Sequence, residues 1–280
     1  MLNSSLVSLF VTLFLPSCKA PEVIRTNNLL SAAQATATIH RRGTQDVITT
    51  CKTKGTFALT FDDGPYLYEN QISDYLTSRK IQGTFFVNGY NYDCIYDQKF
   101  VSQLQHTFKQ GHLIGSHSWS HPNITRLSKA QFEHQLDLVE TALIKILGIK
   151  PRYFRPPYGD INDQNIRVLK SRGYKIINWS FDSQDSIGAT PQQSKAYYDK
   201  LAKSYPQPQI ALNHETYQTT ASQVIPHAID VLTKAGYRLV SVSECLGLGN
   251  TQKDFYQVIG TPSPRDASWT CSGTPAPGLA

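Results

Sequence analysis

Apolar and polar positions along this chain follow two periods. Short apolar runs predict strands at Phe57–Phe61, Thr84–Asn88, His112–Ser116, Tyr153–Arg155, Tyr174–Trp179, Gln209–Asn213 and Tyr237–Val240. Between most of them the period lengthens to that of a helix. Glu69–Lys80 puts Ile72, Tyr75 and Leu76 on one face, and Phe100–Gln110 does the same with Val101, Leu104 and Phe108. The clearest helix runs from Ser128 to Leu147. Ser128 and Gln131 form its capping box, Gly148 its stop, and Phe132, Leu136, Val139, Leu143, Ile146 and Leu147 its apolar stripe. Thr190–Gln193 and Thr220–Gln223 are two more capping-box starts, and Gly236 ends the last helix. Strands alternating with helices mean parallel strands covered by helices. The pattern therefore predicts an α/β fold: a single barrel-like domain over residues 50–250 with about seven parallel strands and active residues at their C-terminal ends. Residues 251–280 hold four prolines and no periodic pattern, and are expected to form an extended tail.

The start of the chain stands outside this rhythm. Leu6–Leu15 is apolar but too short to span a bilayer, and small residues follow up to Ala20, so residues 1–20 are expected to be a secretory signal. Residues 21–50, rich in Ala, Thr, Asn and Gln, are a leader segment. No later run is apolar enough to span a membrane, so no membrane partner is expected. The 280 residues are 40% hydrophobic and 17% charged, enough for one large domain with a sizeable core. The formal charge of +6 is scattered, with no basic run longer than Arg41-Arg42, which argues against a nucleic-acid partner. Cys18 goes with the signal. Cys51, Cys94, Cys245 and Cys271 remain, and three pairings are open to them. Cys51–Cys245 is favoured, tying the approach to the first strand to the exit from the last. Cys94–Cys271 would then pin the tail to an early loop. None of the four sits in a short C-x-x-C spacing, which argues against a zinc site made of them.

The stretch Thr60-Phe-Asp-Asp-Gly-Pro65 ends the first strand in a forced turn. Neighbours on an extended chain point opposite ways, so Asp62 and Asp63 can hold different partners, one a cation and the other a proton. Taken alone, the stretch is a polar turn. His117-Ser-Trp-Ser-His121 follows the third strand. At i and i+4 its histidines share a helix face and suit one metal ion, although satisfied surface histidines are commoner. With an aspartate they make a two-His, one-carboxylate set with open positions. Arg155-Pro-Pro-Tyr-Gly159 follows the fourth strand, and its prolines stiffen the backbone after the Arg. Asp182-Ser-Gln-Asp185 comes after the fifth strand and Trp179, and Leu212-Asn-His214 closes the sixth. Each is bland by itself. Together, Asp62, Asp63, His117, His121, Arg155, Asp182, Asp185 and His214 all fall at strand C-terminal ends, which in a barrel form one rim.

In order, these five stretches resemble the five motifs of the polysaccharide deacetylases (carbohydrate esterase family 4, the NodB homology domain). The resemblance covers roughly residues 50–245 and is strongest to the secreted chitin deacetylases of fungi. It implies a distorted (β/α) barrel and hydrolysis of N-acetyl groups on chitin or chitin oligosaccharides. It also implies a divalent cation, usually Zn2+, with Co2+ or another divalent metal as alternatives. By matching positions, Asp63, His117 and His121 would bind the metal. Asp62 would be the general base and Arg155 would hold it. The backbone N–H of Tyr158 would stabilise the oxyanion. His214 would be the general acid, tuned by Asp185. Leu212 would line the acetyl-methyl pocket, with Trp179 a further substrate-binding residue. The family usually has Trp directly after the second Asp of the fourth motif; Ser186 stands there in this chain, which bears on substrate preference.

A secreted monomer, extracellular or in the cell wall, is the expectation. Acetylxylan or another acetylated polymer is the alternative substrate. An inactive relative that only binds polysaccharide is the alternative role, and its sign would be loss of the base, a ligand or the acid; all are present. A glycoside hydrolase built on Asp62 and Asp63 needs carboxyl groups at least ~5 Å apart across a sugar, which neighbouring strand residues suit badly. The loop Tyr90–Tyr96 offers tyrosines either to sugar rings or to the core. Asn123-Ile-Thr is a glycosylation acceptor beside the two-histidine stretch, and Asn178-Trp-Ser, in a strand, is expected to go unused.

Overall fold

The run that opens Thr56-Phe-Ala-Leu becomes the central strand β2 (Thr56–Gly64) of the computed structural model, which describes residues 46–280. The expected signal, and the leader up to residue 45, lie outside the described residues. All of β2 except Asp63 is buried, as a strand covered on both faces must be. It pairs with β9 (Gln209–His214) along one side. Along the other, its first half takes β10 (Arg238–Val240) and its second half β3 (Thr84–Val87). The sheet continues through β4 (Leu113–Ser116), β6 (Tyr153–Phe154) and β7 (Lys175–Ile177) to β1 (Val47–Ile48), and β8 (Phe181–Asp182) lies beyond β9. The sheet has nine strands, and neighbours pair in parallel throughout. Its edges, β1 and β8, do not pair with each other, so the distorted barrel is an open half-barrel. β1 and β8 are additions to the seven predicted strands. With two residues each they carry no period, and β1 lies within the stretch assigned to the leader.

Around the sheet lie α1 (Glu69–Ser78), α2 (Gln98–Lys109), α3 (Lys129–Leu147), α4 (Asp163–Ser171), α5 (Pro191–Ala202) and α6 (Ile225–Ala235). α3 has the predicted capping box and ends on Gly148 at φ 73. Its whole apolar stripe is buried, each such side chain contributing about 1.5–3 kcal/mol. α5 begins on the Thr190–Gln193 box. The Thr220–Gln223 stretch does not cap a helix. Thr220–Val224 is a π-helical turn running into α6, and the Thr220 hydroxyl donates to Asp185 instead. α4 is a further helix that the pattern did not reveal. It is capped by Asn162 with Asn165 and buries Ile166, Val168 and Leu169 beside Phe154 and Tyr174.

Disulfides join Cys51 to Cys245 and Cys94 to Cys271, with Cα separations of 4.8 and 5.9 Å. Residues 251–280 hold more structure than an extended tail. A helical turn, Gln252–Phe255, leads into β11 (Tyr256–Ile259), which pairs antiparallel with β5 (Ile149–Pro151). Phe255, Tyr256 and Trp269 are buried. No helix among the described residues is long and apolar enough to cross a membrane.

Candidate active site

The five motif stretches leave the sheet at the same strand ends. β2 and β9 pair through Asp62 and His214, so these two are direct neighbours. Against β3, the β2 register slips between Asp62 and Gly64. Asp63 sits in that bulge at φ 73, a left-handed conformation that Asp tolerates better than most residues. The bulge undoes the alternation expected of an extended pair. Asp62 Oδ2 and Asp63 Oδ1 each lie 3.7 Å from His117 Nε2, so both carboxylates face one cluster. Glycine is required next, because a Cβ at Gly64 would lie 2.1 Å from the Glu215 carboxyl.

Asp62 is buried, and its Oδ1 accepts from Arg155 Nη1 at 2.8 Å. The fully buried Arg155 is fixed on every side. Nη1 also donates to Thr60 Oγ1 at 2.5 Å, Nε to Ile177 O at 3.3 Å and Nη2 to Asn178 O at 3.2 Å. The Phe86 ring lies 4.4 Å from the guanidinium carbon. Burial raises the pKa of Asp62, and the charge and hydrogen bond of Arg155 offset that only in part. A carboxylate with raised proton affinity, one oxygen tied and the other turned to the cluster, has the properties of a general base.

His117 and His121 are not on a helix. Residues 117–121 form a loop after β4 in which Ser118 and His121 take φ 68 and 56. These left-handed turns, not helical periodicity, bring the two rings to 4.9 Å. His117 Nδ1 lies 2.8 Å from Arg155 O and must donate, since a carbonyl only accepts. Its Nε2 lone pair is thereby left for another partner. His121 Nε2 lies 3.4 Å from Asp63 Oδ1. Burial pushes both histidines down to about 3, so they are neutral donors of lone pairs at neutral pH. Burial pushes Asp63 up to about 7, and its Oδ1 is buried without a hydrogen-bond partner. An orphaned carboxylate oxygen facing two neutral imidazoles fits a cation. Ligand atoms around a tetrahedral Zn2+ stand about 3.4 Å apart, given bonds of about 2.0–2.2 Å. The three ligand atoms here all lie within 4.8 Å of one another, with 3.4 and 3.7 Å from the two imidazoles to Asp63.

His214 ends β9. Its Nδ1 lies 2.7 Å from Asp185 Oδ1, and its backbone N–H donates to Asp185 Oδ2 at 2.8 Å. Thr220 Oγ1 donates to the same Oδ2 at 2.8 Å. Burial by itself would lower the pKa of His214. The hydrogen bond and charge of Asp185 override it and raise the ring to about 9, so His214 is a cation at neutral pH. Asp182 has its Oδ1 taken by the Gln184 N–H at 2.7 Å, and burial raises its pKa. These residues open on a cavity of about 380 Å³, walled also by Pro156, Tyr158, Trp179, Leu212, Ser186 and Ile187. Tyr158, at φ 60, turns its ring edge-on to His121 at 4.6 Å. Leu212 and Trp179 give the cavity apolar walls, and Trp179 also packs on Gly159, where a Cβ would approach it to 2.8 Å.

The structure thus brings all eight charged rim residues together. It adds Thr60, Thr220, Pro156 and Ile187, to which the sequence analysis gave no role in the site. Thr60 was hidden inside an apolar strand, and Thr220 mimicked a helix cap. The tyrosines of Tyr90–Tyr96 do not line the cavity. Tyr96 is core, with its ring centroid 6.2 Å from that of Trp119 and 5.7 Å from that of Trp269, while Tyr92 stays half-exposed beside Tyr66. Asn123 Nδ2 donates to Asp160 at 2.9 Å, and Asn178 Nδ2 to Gly159 O at 3.1 Å.

Known proteins resemble this chain in sequence and fold. A family model described as polysaccharide deacetylase matches residues 49–177. The chain is 33% identical over 267 residues to a chitin deacetylase of Pestalotiopsis sp, covering 88% of this chain and 85% of that one. It is 34% identical over 206 residues to the chitin deacetylase of Colletotrichum lindemuthianum, covering 70% and 82%. The solved structure of the chitin deacetylase from that fungal pathogen is similar with a TM-score of 0.72 at 31% identity, covering 77% of this chain and 96% of that one.

Proposed function

The chain belongs to the polysaccharide deacetylase family, and from that premise we propose that it removes N-acetyl groups from the GlcNAc units of chitin or chitin oligosaccharides. The observation that carries this reading is convergence. A carboxylate held by a buried arginine, an Asp-His-His cation set and a carboxylate-backed cationic histidine all open on one cavity. Asp63, His117 and His121 would hold the cation, and their nitrogen and oxygen donors suit Zn2+. When bound, a divalent cation supplies Lewis acidity, lowering the pKa of water and polarising a carbonyl.

The chain's own groups then divide the proton work. Asp62 takes the proton from the attacking water as the new C–O bond forms, and Arg155 keeps its carboxylate aimed. The backbone N–H of Tyr158 donates to the developing oxyanion; one such donor is worth roughly 100- to 1000-fold in rate. Leu212 and Trp179 receive the acetyl methyl. An amine leaves poorly as an anion, so the nitrogen takes a proton from His214 as the C–N bond breaks. One water enters, acetic acid and one free amine leave, and the proton held by Asp62 passes back to His214 to restore both groups. Asp182 has no part in these transfers.

Ser186 and Ile187 form one wall of the cavity, and Ile187 is 69% exposed. This low wall in place of the usual Trp supports acetylxylan as the second reading. Two disulfides support export to an oxidising compartment, and we take the protein to act as a monomer outside the cell or in its wall. The deciding measurement is acetate against reducing-end release from chitin oligomers and acetylxylan, with and without a chelator. Chelator-sensitive acetate from chitin oligomers is expected. Reducing ends without acetate, or acetate indifferent to the chelator, would sink the proposal.

A further inference from the structure

The loop that carries two of the three candidate cation ligands has no regular secondary structure of its own. Ser118 and His121 hold left-handed conformations there, which non-glycine residues keep only where their surroundings over-determine them. The surroundings are therefore part of the site. On one side, Asn88 Nδ2 donates to the carbonyls of His117 and Ser118 at 2.6 and 3.0 Å. The N–H groups of Gly89 and Tyr90 donate to Trp119 O at 2.9 and 2.7 Å. On a second side, Gln135 of α3 accepts the N–H groups of Trp119 and Ser120, both at 2.9 Å. The third side is the C-terminal segment. Trp119 Nε1–H donates to Thr274 Oγ1 at 2.9 Å, and Gly278 N–H to Ser120 O at 2.6 Å. Leu279 O accepts from Gln135 Nε2 at 3.2 Å and from the Ser120 hydroxyl.

We propose that residues 271–279 are a positioning strap for the His117–His121 loop, and that Thr274, acting through Trp119, sets the affinity of the site for a divalent cation. This rests on the reading that Asp63, His117 and His121 hold that cation. Trp119 lies midway between the two histidines and is 1% exposed. The Thr274 hydroxyl gives its own proton to Cys271 O at 2.7 Å, which turns its lone pairs toward the indole. Cys271 is in turn fastened to Cys94, so the strap is anchored three residues before the contact. Without the acceptor, a buried indole N–H is left unpaired. The ring relieves that by moving, and the backbone that moves with it carries both imidazoles.

The test uses the full oxidised chain as wild type, Thr274→Val, Thr274→Ser and the double variant Cys94→Ala/Cys271→Ala. The readouts are the Zn2+ dissociation constant by chelator competition, the visible absorption of the Co2+-loaded protein, and Tm. Thr274→Val should bind Zn2+ ~10-fold more weakly, the low end of what losing an outer-shell partner does, and its Co2+ spectrum should change. Thr274→Ser should restore both, and the double variant should weaken binding at least as much as Thr274→Val. A lowered Tm with unchanged Zn2+ affinity and Co2+ spectrum overturns the proposal, leaving the strap a purely structural element. If Thr274→Val does not fold, the double variant decides on the same readouts. A wild type that binds neither ion brings down the cation reading and the strap with it. A wild type that binds, with variants that bind equally, brings down the strap alone.

Discussion

Asp185→Asn changes the charge beside His214 while keeping nearly the same shape. The carboxylate now meets His214 Nδ1, His214 N–H and the Thr220 hydroxyl at 2.7, 2.8 and 2.8 Å. Against the lowering effect of burial, it lifts His214 from 6.5 to about 9. That lift is worth about 3 kcal/mol in favour of the imidazolium. Without the negative charge, burial is opposed only by the more distant Asp62 and Asp63, and His214 returns to about 6.5 or below. A histidine with a raised pKa is a usable acid below its native value, and the acid is lost as pH rises through it. Wild type should keep its acid up to about pH 9, whereas the variant should lose it from about pH 6.5 upward. At about pH 8 the protonated fraction falls from about 0.9 to about 0.03, roughly a 30-fold loss, while at about pH 6 the loss is under about twofold. These pH values are those of the cation-free site; a bound cation would shift both limbs to lower pH together, so the separation between the two limbs is the quantity tested. The assay is kcat for acetate release from chitin oligomers across pH at saturating Zn2+. An equal loss at every pH, with the alkaline limb unmoved, refutes the reasoning, because Asp185 would then act through position and not through charge.

Three other outcomes follow from the same geometry. Asp62→Asn should keep its bound Zn2+ by elemental analysis and lose about 100- to 10,000-fold in acetate release; full activity would remove Asp62 from the mechanism. His117→Ala should lose Zn2+ content, and an unchanged metal stoichiometry would strike His117 from the ligand set. Glu69 and Glu215 are fully buried, burial raises both pKa values, and the charge of Glu69 adds to the rise at Glu215. An acid whose native pKa is raised adds stability in full below its unfolded value and loses it as pH rises toward the native one, by ~1.4 kcal/mol for each tenfold change in proton affinity. Glu69→Gln should therefore flatten the fall in Tm between about pH 4.5 and pH 7; parallel Tm curves for wild type and variant would mean that the pair carries no such burden.

What was legible in the chain was what one element encodes alone. The α3 stripe is read correctly because six apolar side chains repeat on one face and the cap and stop are local. The strand ends are legible because turn formers follow apolar runs. The errors arise where a second element decides. Thr190 and Thr220 head the same four-residue pattern, yet only Thr190 caps a helix, because Asp185 lies within reach of the Thr220 hydroxyl. The i, i+4 spacing of His117 and His121 suggested a helix face, but Gln135 and Asn88 take up the loop's N–H and carbonyl groups in place of helical partners. Asp62 and Asp63 were expected to diverge, and a bulge against β3 brings them together. β1 and β8 exist only through the strands beside them.

These exceptions are not scattered. Six non-glycine residues among those described have positive φ: Asp63, Lys80, Ser118, His121, Tyr158 and Gln184. All but Lys80 lie on the strand exits around the cavity. A left-handed residue costs roughly 1–2 kcal/mol each, so together they consume a sum comparable with the net stability of a whole domain, about 5–15 kcal/mol. Such strain persists only when each turn answers a need that a relaxed chain cannot meet. Asp63 must fold back to join Asp62, His121 must return to His117, and the turn at Gln184 delivers Asp185 to His214. A regular extended strand would aim Asp62 and Asp63 to opposite faces and hold His117 and His121 about 13 Å apart. At Asp63, His121 and Gln184 the chain disobeys its local preferences and thereby brings two ionisable groups into contact, and that is why these strained positions trace the outline of the proposed chemistry.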